Sequence, residues 1–290
     1  MSFRARLAMQ CLLVVLGFVL TGCAALRTSE RSISALTYPA QVESLMGDQF
    51  AEQIAQEYPV IHDAEADAWL QAMGQRLVDF SPATAQDFTF QFVESGEVNA
   101  FAIPGGYCYV NIGLILFAEN EAQVAAVVGH EINHVTKRHG ILQLQRSRGI
   151  QVATDFLASQ VQANAAQQAA RAAAQAGGYL AMRKFGREDE HEADTYGVQA
   201  MTGAGWDPRE GIKFFERLNA LYGGQTPGFL EQMLATHPAT TARIERLQEM
   251  TAELDLSGRD LIVNTPEFQA IQARFRKNYP HLQPDASASG

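Results

Sequence analysis

The spacing of apolar residues along the 290-residue chain predicts that much of it is helical. Apolar positions recur every three to four residues, and Asp, Thr and Pro mark several helix starts because they suit the first turn. We expect helices over residues 41–58, 63–78 and 207–221, a helix that begins at Pro238 and a last one that begins at Thr265. An alanine- and glutamine-rich segment, 151–176, is also expected to be helical. Its apolar stripe is mostly alanine, which leaves open whether it is a packed helix or a mobile cover over a cleft.

Alternating apolar and polar residues predict strands in the first half of the chain. Phe88, Phe90 and Phe92 alternate with polar residues, which is typical of a half-buried strand. Further on, segments 99–103 and 107–112 flank a Pro-Gly-Gly sequence that favours a tight turn. We therefore expect these two segments to pair as a hairpin.

The sequence GHEINHVTKRHG, residues 129–140, follows a run of small apolar residues that predicts a helix buried on nearly every side. His130 and His134 are four residues apart, so they project from one face of that helix, close enough to bind one metal ion. Glu131 stands beside the first histidine, where zinc peptidases with the HExxH pattern keep the general base. The alternative is a pair of core histidines that bond to backbone carbonyls.

His139 is a tempting third ligand, but the residues around it do not fit. A catalytic zinc usually takes three protein ligands, and the metzincin pattern requires Gly in place of Lys137 and His in place of Gly140. We expect instead that His139 and Gly140 close the helix, as a cation near the last carbonyls and a glycine beyond them. The third ligand must then come from another part of the chain.

The segment REDEHEADTYGVQAM, residues 187–201, offers that ligand. On a helix, Glu190 shares its face with apolar residues, whereas Glu192 shares its face with polar ones. A carboxylate on the buried face is costly unless it is paired or bound to metal, so Glu190 is the predicted ligand and Glu192 is predicted to be solvated. Asp194, one turn further on, is placed to accept the second N–H of a ligating histidine. His191 is the alternative ligand.

Four motifs, in this order, resemble metallopeptidase family forty-eight, the gluzincins related to the HtpX heat-shock protease and the CAAX prenyl endopeptidases. They are NAFAIPGG (99–106), GHEINHVTKRHG (129–140), EHEADTYG (190–197) and THPATTARI (236–244). The resemblance runs from about residue 41 to residue 254. It implies an α+β, zincin-like fold that is mostly helical, with a small antiparallel sheet beside the HExxH helix, and one zinc ion per chain.

The resemblance also implies roles for individual residues. It gives His130, His134 and Glu190 as the zinc ligands, Glu131 as the base and Asp194 as the supporting carboxylate. These are the residues that the helix faces had indicated independently.

Substrate contacts are implied along the NAFA part of the first motif. By resemblance, Asn99, Ala100, Phe101 and Ala102 are candidates for a strand edge that pairs with an extended substrate. Main-chain hydrogen bonds of this kind do not depend on sequence, which would suit unfolded proteins as substrates. The alternative is a hairpin with no role in binding.

His237, in the THP sequence, lies by resemblance beside the zinc cleft, and its role is open. It could donate a hydrogen bond to the developing oxyanion, or, when neutral, occupy the fourth position on zinc until substrate arrives. A surface histidine near a helix start is the simplest interpretation. We favour the reversible latch, with Arg243 steadying the oxyanion or the acidic site.

The first residues predict export and lipidation. Arg4 and Arg6 precede an apolar run, 11–20, which is too short to cross a bilayer and is typical of a signal peptide. The next residues, Leu-Thr-Gly-Cys, resemble a bacterial lipobox, which implies cleavage before Cys23 and lipid on its thiol. Residues 23–40 would then be a lipidated tether at the periplasmic face of the outer membrane. The alternative is an unlipidated signal peptide with an incidental cysteine.

Charge and cysteine content fit a secreted globular enzyme. The formal net charge of -10 opposes binding to nucleic acid. Cys108 is the one cysteine not assigned to the signal peptide or to lipid, so no internal disulfide is expected and an inert strand cysteine is its predicted role. We divide the chain into a signal peptide, a tether, one zinc metallopeptidase domain, a C-terminal helical extension and a disordered tail, at 1–22, 23–40, 41–255, 256–280 and 281–290.

Together, these observations predict an outer-membrane lipoprotein, a zinc endopeptidase that hydrolyses unfolded or misassembled envelope proteins as quality control. Its expected partners are those substrates and, through the lipid, the outer membrane; a partner in an assembly machinery stays unidentified. The alternative is a zinc-containing periplasmic holdase or assembly chaperone without significant proteolysis. An intact Glu131 favours the enzyme, because a closed structural zinc site needs no general base.

Overall fold

The computed structural model describes residues 40–82, 87–148, 185–221, 233, 235–238 and 240–283. Several expectations therefore fall outside the described residues. They are the signal peptide, lipidation of Cys23, nearly all of the tether, the helix over 151–176 and the tail after residue 283. These stay predictions.

Helices make up most of the described chain. They are α1 (Ala40–Glu57), α2 (Ala64–Asp79), α3 (Ile112–Phe117), α4 (Glu121–Thr136), α5 (His139–Arg148), α6 (Arg187–Gly203), α7 (Arg209–Leu221), α8 (Thr241–Ala252) and α9 (Pro266–Asn278), followed by a short 3-10 turn, Pro280–Leu282. The expectation of a mostly helical α+β protein is confirmed. None of the described helices combines the length and the apolar character needed to cross a membrane.

Capping residues explain where several of these helices start. The Asp63 side chain accepts a hydrogen bond from the backbone of Ala66 at the start of α2, and Thr265 does the same for Phe268 at the start of α9. One expected start is wrong. Thr240, rather than Pro238, caps α8, because its hydroxyl accepts the Arg243 N–H, so the helix begins at Thr241.

Four strands form one sheet in the order β1, β2, β4, β3. They are β1 (Val60–Ile61), β2 (Thr89–Val93), β3 (Ala100–Ile103) and β4 (Tyr107–Asn111). The sheet is mixed and not purely antiparallel as expected, since β2 and β4 run parallel. The reason is that β4, buried from Cys108 to Asn111, takes an inner position between β2 and β3.

The expected hairpin is confirmed, and it leaves β3 at one edge of the sheet. β3 and β4 pair antiparallel, with Ala100 opposite Val110. The turn needs its two glycines, because Gly105 has φ 89° and Gly106 has φ 85°, where a side chain is disfavoured.

Helix α4 lies at the centre of the molecule, in contact with α2, α6, α7 and the edge strand β3. It approaches α6 closely, since a Cβ on Gly197 would lie 3.3 Å from the backbone nitrogen of His130. Phe268, Ile271 and Phe275 of α9 belong to the same large apolar cluster as α4. The segment predicted as a C-terminal extension thus contributes side chains to the main core.

Candidate metal centre

A buried cluster of three histidines and one glutamate lies where α4 meets α6. Its members are His130 and His134 from α4, Glu190 from α6 and His237 from the segment before α8, and one ligand atom from each lies within 4.8 Å of the others. The Nε2 atoms of His130 and His134 are 2.9 Å apart, and His237 Nδ1 lies 2.9 Å from Glu190 Oε1. The three residues that the sequence singled out as ligands are therefore brought together. His237, whose role the sequence left open, lies with them.

The donor set fits a divalent metal ion. Three imidazoles and one carboxylate are the ligand types that zinc prefers. Glu190 Oε2 is buried and accepts no well-aligned hydrogen bond within the described chain, although Arg243 Nη1 lies 2.9 Å away. Burial and the charge of Arg243 lower the pKa of His130, but hydrogen bonds with Asp194 and Glu190 outweigh them and raise it to about 9. The cluster thus favours positive charge at this point, which a cation would supply in place of the proton.

Asp194 supports the first histidine from behind, as the sequence indicated. Its Oδ1 lies 2.9 Å from His130 Nδ1, and both its oxygens accept hydrogen bonds of 2.7 Å from Arg243. Burial raises the pKa of Asp194, but the neighbouring Arg243 charge and the His130 bond outweigh it and lower the pKa below its usual value. Once a metal ion takes the place of the second proton of His130 on Nε2, a charged Asp194 keeps the remaining proton on Nδ1.

Arg243 is enclosed by groups that hold it in place. Its guanidinium lies 4.4 Å above the Phe215 ring, and Nη1 is 2.9 Å from Glu190 Oε2. The residue is 5% exposed and bonds both oxygens of Asp194. It therefore joins the ligand Glu190 to the supporting carboxylate, which suits the expected role of steadying the acidic site.

His134, the second histidine of the cluster, has a supporting contact that the sequence analysis missed. His139 Nδ1 lies 2.9 Å from His134 Nδ1, and His139 Nε2 lies 3.2 Å from Glu192 Oε2. Two expectations are corrected by these contacts. His139 does not close α4 but begins α5 as a fully buried residue, and Glu192 is not simply solvated but bonds His139 and pairs with Lys137.

A kink in the backbone between α4 and α5 directs the His139 side chain into the core. Arg138, between α4 and α5, has φ 60°, a left-handed conformation that is uncommon outside glycine. Its guanidinium forms an ion pair with the buried Glu43 of α1. Helical periodicity could not foresee this kink. The one clue in the sequence was a third histidine within ten residues.

The expected base and the expected substrate edge lie beside the cluster. Glu131 is buried, with Oε1 3.4 Å from His237 Nε2. Ala102 of β3 lines a small cavity together with His134 and Phe185, and the Phe185 ring stacks on His134 at 3.7 Å. Phe185 is a further neighbour that sequence reasoning missed.

The other three residues of the proposed substrate edge precede Ala102 in the chain. Ala100 and Phe101 are buried in β3, and Asn99 precedes the strand, buried, with its carbonyl accepting the Asn111 N–H. These residues belong to, or directly precede, the strand at one edge of the sheet.

A helix with two histidines one turn apart, a buried glutamate on the neighbouring helix and a mixed sheet beside them define a zincin-like metallopeptidase fold with a candidate metal site. The family description "Peptidase family M48" matches residues 64–251. The chain belongs to this family, whose members are metal-dependent peptidases.

Individual relatives agree with the family. The chain is 32% identical over 241 residues to the Beta-barrel assembly-enhancing protease of Escherichia coli K12, which covers 80% of this chain and 48% of the relative. It is 30% identical to the protein of the same name from Yersinia pestis, over 70% of this chain and 42% of the relative. The Mitochondrial metalloendopeptidase OMA1 of Schizosaccharomyces pombe is 26% identical over 62% of this chain and 51% of its own. The chain thus spans about half the length of these relatives.

Proposed function

We propose that this protein is a zinc-dependent endopeptidase of the bacterial envelope. The observation that carries the proposal is the buried cluster of His130, His134, Glu190 and His237 beside a buried Glu131. Glu131 lies next to the cluster without being one of its four members, which is the position of a general base and has no purpose in a purely structural site.

Each residue of the site has a separate role in such an endopeptidase. His130, His134 and Glu190 would hold the zinc ion, which when bound supplies Lewis acidity to a water molecule and to the scissile carbonyl. Glu131 takes the proton from the attacking water and passes it to the leaving amine. Asp194 fixes the orientation of the first histidine.

His237 is proposed to act as a reversible latch. Its Nδ1 atom lies 3.3 Å from His130 Nε2 and 2.9 Å from Glu190 Oε1, within reach of an ion held by those residues. From that place a neutral imidazole would serve as a fourth ligand to a bound zinc ion and would exclude water, so His237 would have to move aside before peptide hydrolysis.

The proposed substrates are unfolded or misassembled envelope proteins, bound as an added strand along β3. An edge strand next to the cluster favours extended polypeptide over folded protein, because main-chain pairing requires a free segment. Two relatives are named for the assembly of β-barrels, which supports a role in envelope quality control. Lipid on Cys23 would anchor the enzyme at the periplasmic face of the outer membrane.

The proposal is tested by incubating detergent-solubilised full-length protein with casein, before and after treatment with a chelator and after readdition of zinc. Cleavage that is lost with the chelator and restored by zinc is expected. A protein that binds stoichiometric zinc and suppresses aggregation of the substrate, yet never cleaves it, would instead be the holdase.

A further inference from the structure

A second cavity opens directly onto the metal cluster and has no assigned role. Its volume is about 760 Å³, within the range of small-molecule pockets and large enough for a substrate side chain. Glu190, Asp194 and Arg243 line its inner end, so a group bound in it would lie next to the reacting centre. We call this cavity the side pocket.

Two helices supply the walls of the side pocket. Phe185 and Tyr196 contribute aromatic surface on the α6 side. From α8, Ala242 and Arg246 face the pocket together because they are one turn apart. Arg187, in the first turn of α6, lines it as well.

The acidic groups of the side pocket are mostly neutralised by other residues. Arg243 pairs with both Asp194 and Glu190, and Glu192 bonds His139 and pairs with Lys137. Glu188 is exposed and also has an interaction of its own. The pocket therefore does not present a strong negative charge to an incoming group, although the protein as a whole carries a net charge of -10.

Its two outer arginines, in contrast, are not neutralised. Within the described part of the chain, the side chains of Arg187 and Arg246 form no hydrogen bond or ion pair. Arg246 is half-buried, so its charge is less screened by water than that of a fully exposed residue. A guanidinium in this setting is suited to a carboxylate, which it can bind through two parallel N–H donors.

We infer that the side pocket selects an acidic side chain of the substrate next to the scissile bond, glutamate above all, with Arg246 as the residue that recognises it. The methylene groups of a glutamate would lie against the aromatic wall formed by Phe185 and Tyr196, and its carboxylate would reach the arginines. This inference rests on the proposed endopeptidase function and adds a substrate class to it.

The test compares internally quenched peptides that differ at one position only. Each position on both sides of the cleaved bond carries Glu, Gln, Lys or Phe in turn, and kcat/KM is measured with full-length, zinc-loaded protein in detergent. At one position the parent should prefer Glu over Gln by roughly tenfold, because a hydrogen bond to a charged partner is lost in the amide. The preference should weaken as salt is added.

Variants assign the preference to a residue. The ratio of the Glu to the Gln rate should fall towards one in Arg246→Gln, and Arg246→Glu should favour Lys over Glu. Arg187→Gln should lower the ratio less, because Arg187 is exposed. The exposed Arg276, on α9, gives the matched control Arg276→Gln, in which the ratio should match the parent. Using a ratio separates recognition from any general loss of folded protein.

The outcomes distinguish this inference from the proposed function. If the peptides are cleaved in a chelator-sensitive way but the parent treats Glu and Gln alike, the inference is wrong and the peptidase stands. A preference for Phe would show that the aromatic wall governs selection, which also overturns it. If no peptide and no protein is cleaved at all, the proposed function itself fails.

Discussion

His139 and His134 are joined by a contact of 2.9 Å between their Nδ1 atoms. When the Nε2 atom of His134 binds a metal ion in the cluster, the proton of this ring is on Nδ1 and can be donated to His139. His139 then carries its own proton on Nε2 and donates it to Glu192. Burial also holds the pKa of His134 well below its usual value, which keeps the ring neutral. The chain of donors therefore fixes the form of His134 that binds a metal ion.

The first prediction concerns metal affinity. His139→Asn and Glu192→Ala should each weaken zinc binding by about 10–100-fold, because a ligand that loses its supporting partner is no longer oriented. Glu190→Ala should abolish binding at comparable concentrations, since it removes a ligand. Affinity is measured by competition with a chromophoric chelator. The exposed Glu245 provides the control Glu245→Ala, which should bind zinc as the parent does.

Glu192→Ala is the decisive member of this set, because it leaves the buried ring of His139 in place. The sequence analysis placed Glu192 on the polar face of its helix, and from that position alone Glu192→Ala would be nearly silent. Unaltered zinc affinity in Glu192→Ala would restore that expectation and remove Glu192 from the support of the site.

The part of the site that could be predicted from sequence was the part encoded by helical periodicity. His130 and His134 are placed by their spacing on α4, and Glu190 and Asp194 by the buried face of α6, which the structure confirms as buried. These are short-range relationships, and they depend only on the 3.6-residue repeat.

Contacts that depend on an irregular backbone could not be predicted. His139 reaches His134 because Arg138 adopts a left-handed conformation, and that conformation is accompanied by an ion pair with Glu43, 95 positions earlier in the chain. The parallel pairing of β2 with β4 is likewise set by which strand is buried on both sides, which alternation within one strand does not reveal.

The second prediction concerns the base. Glu131→Gln keeps the size of the side chain but cannot accept a proton, so proteolysis should fall by roughly 10²–10⁴-fold. Zinc content should stay stoichiometric, because Glu131 is not one of the four residues of the cluster. Casein cleavage and metal analysis on the same preparation check both points. A variant that cleaves at the parental rate would rule out Glu131 as the base.

The third prediction concerns pH and the start of α7. The Asp207 carboxylate accepts hydrogen bonds from the backbone and side chain of Arg209. Burial raises the pKa of Asp207, but these bonds outweigh it and lower the pKa below its usual 3.8. Because the folded pKa lies below the unfolded one, the stabilisation is complete above pH 3.8 and is lost as the pH falls through the folded value.

Asp207→Asn keeps a hydrogen-bond acceptor but removes the charge. Its free energy of unfolding should be lower than that of the parent by up to about 1 kcal/mol at pH 7, since the Arg209 side chain is largely exposed. The difference should shrink below about pH 4. Urea unfolding between pH 3 and 7, with chelator present throughout, measures it. The exposed Asp260 serves as control, and a difference that does not change with pH would contradict the prediction.

The fourth prediction concerns the anchor. If Cys23 carries lipid, Cys23→Ser should remove the protein from the outer-membrane fraction and change its mass, because lipidation and the cleavage before residue 23 both depend on the lipobox cysteine. The metal-binding part of the chain should fold as before, because Cys23 precedes the first described helix. Fractionation and intact mass spectrometry are the measurements. A serine variant with the parental distribution and a parental mass, apart from the substitution, would show that no lipid is attached.

The last prediction separates the two roles of His237. Its position within the cluster suits a fourth ligand. Its Nε2 atom also lies 3.4 Å from Glu131 Oε1, which suits a hydrogen-bond donor to the oxyanion that forms beside the base. If His237 is a latch, His237→Ala should bind zinc and cleave unfolded substrate faster than the parent, because water gains access to the fourth position. If it stabilises the oxyanion, the same variant should lose roughly 10²-fold or more in kcat.

His281, exposed beyond α9, gives the control His281→Ala. An unchanged rate would exclude both roles. We expect the increase, because the shortest of these contacts joins His237 Nδ1 to the proposed ligand Glu190, at 2.9 Å.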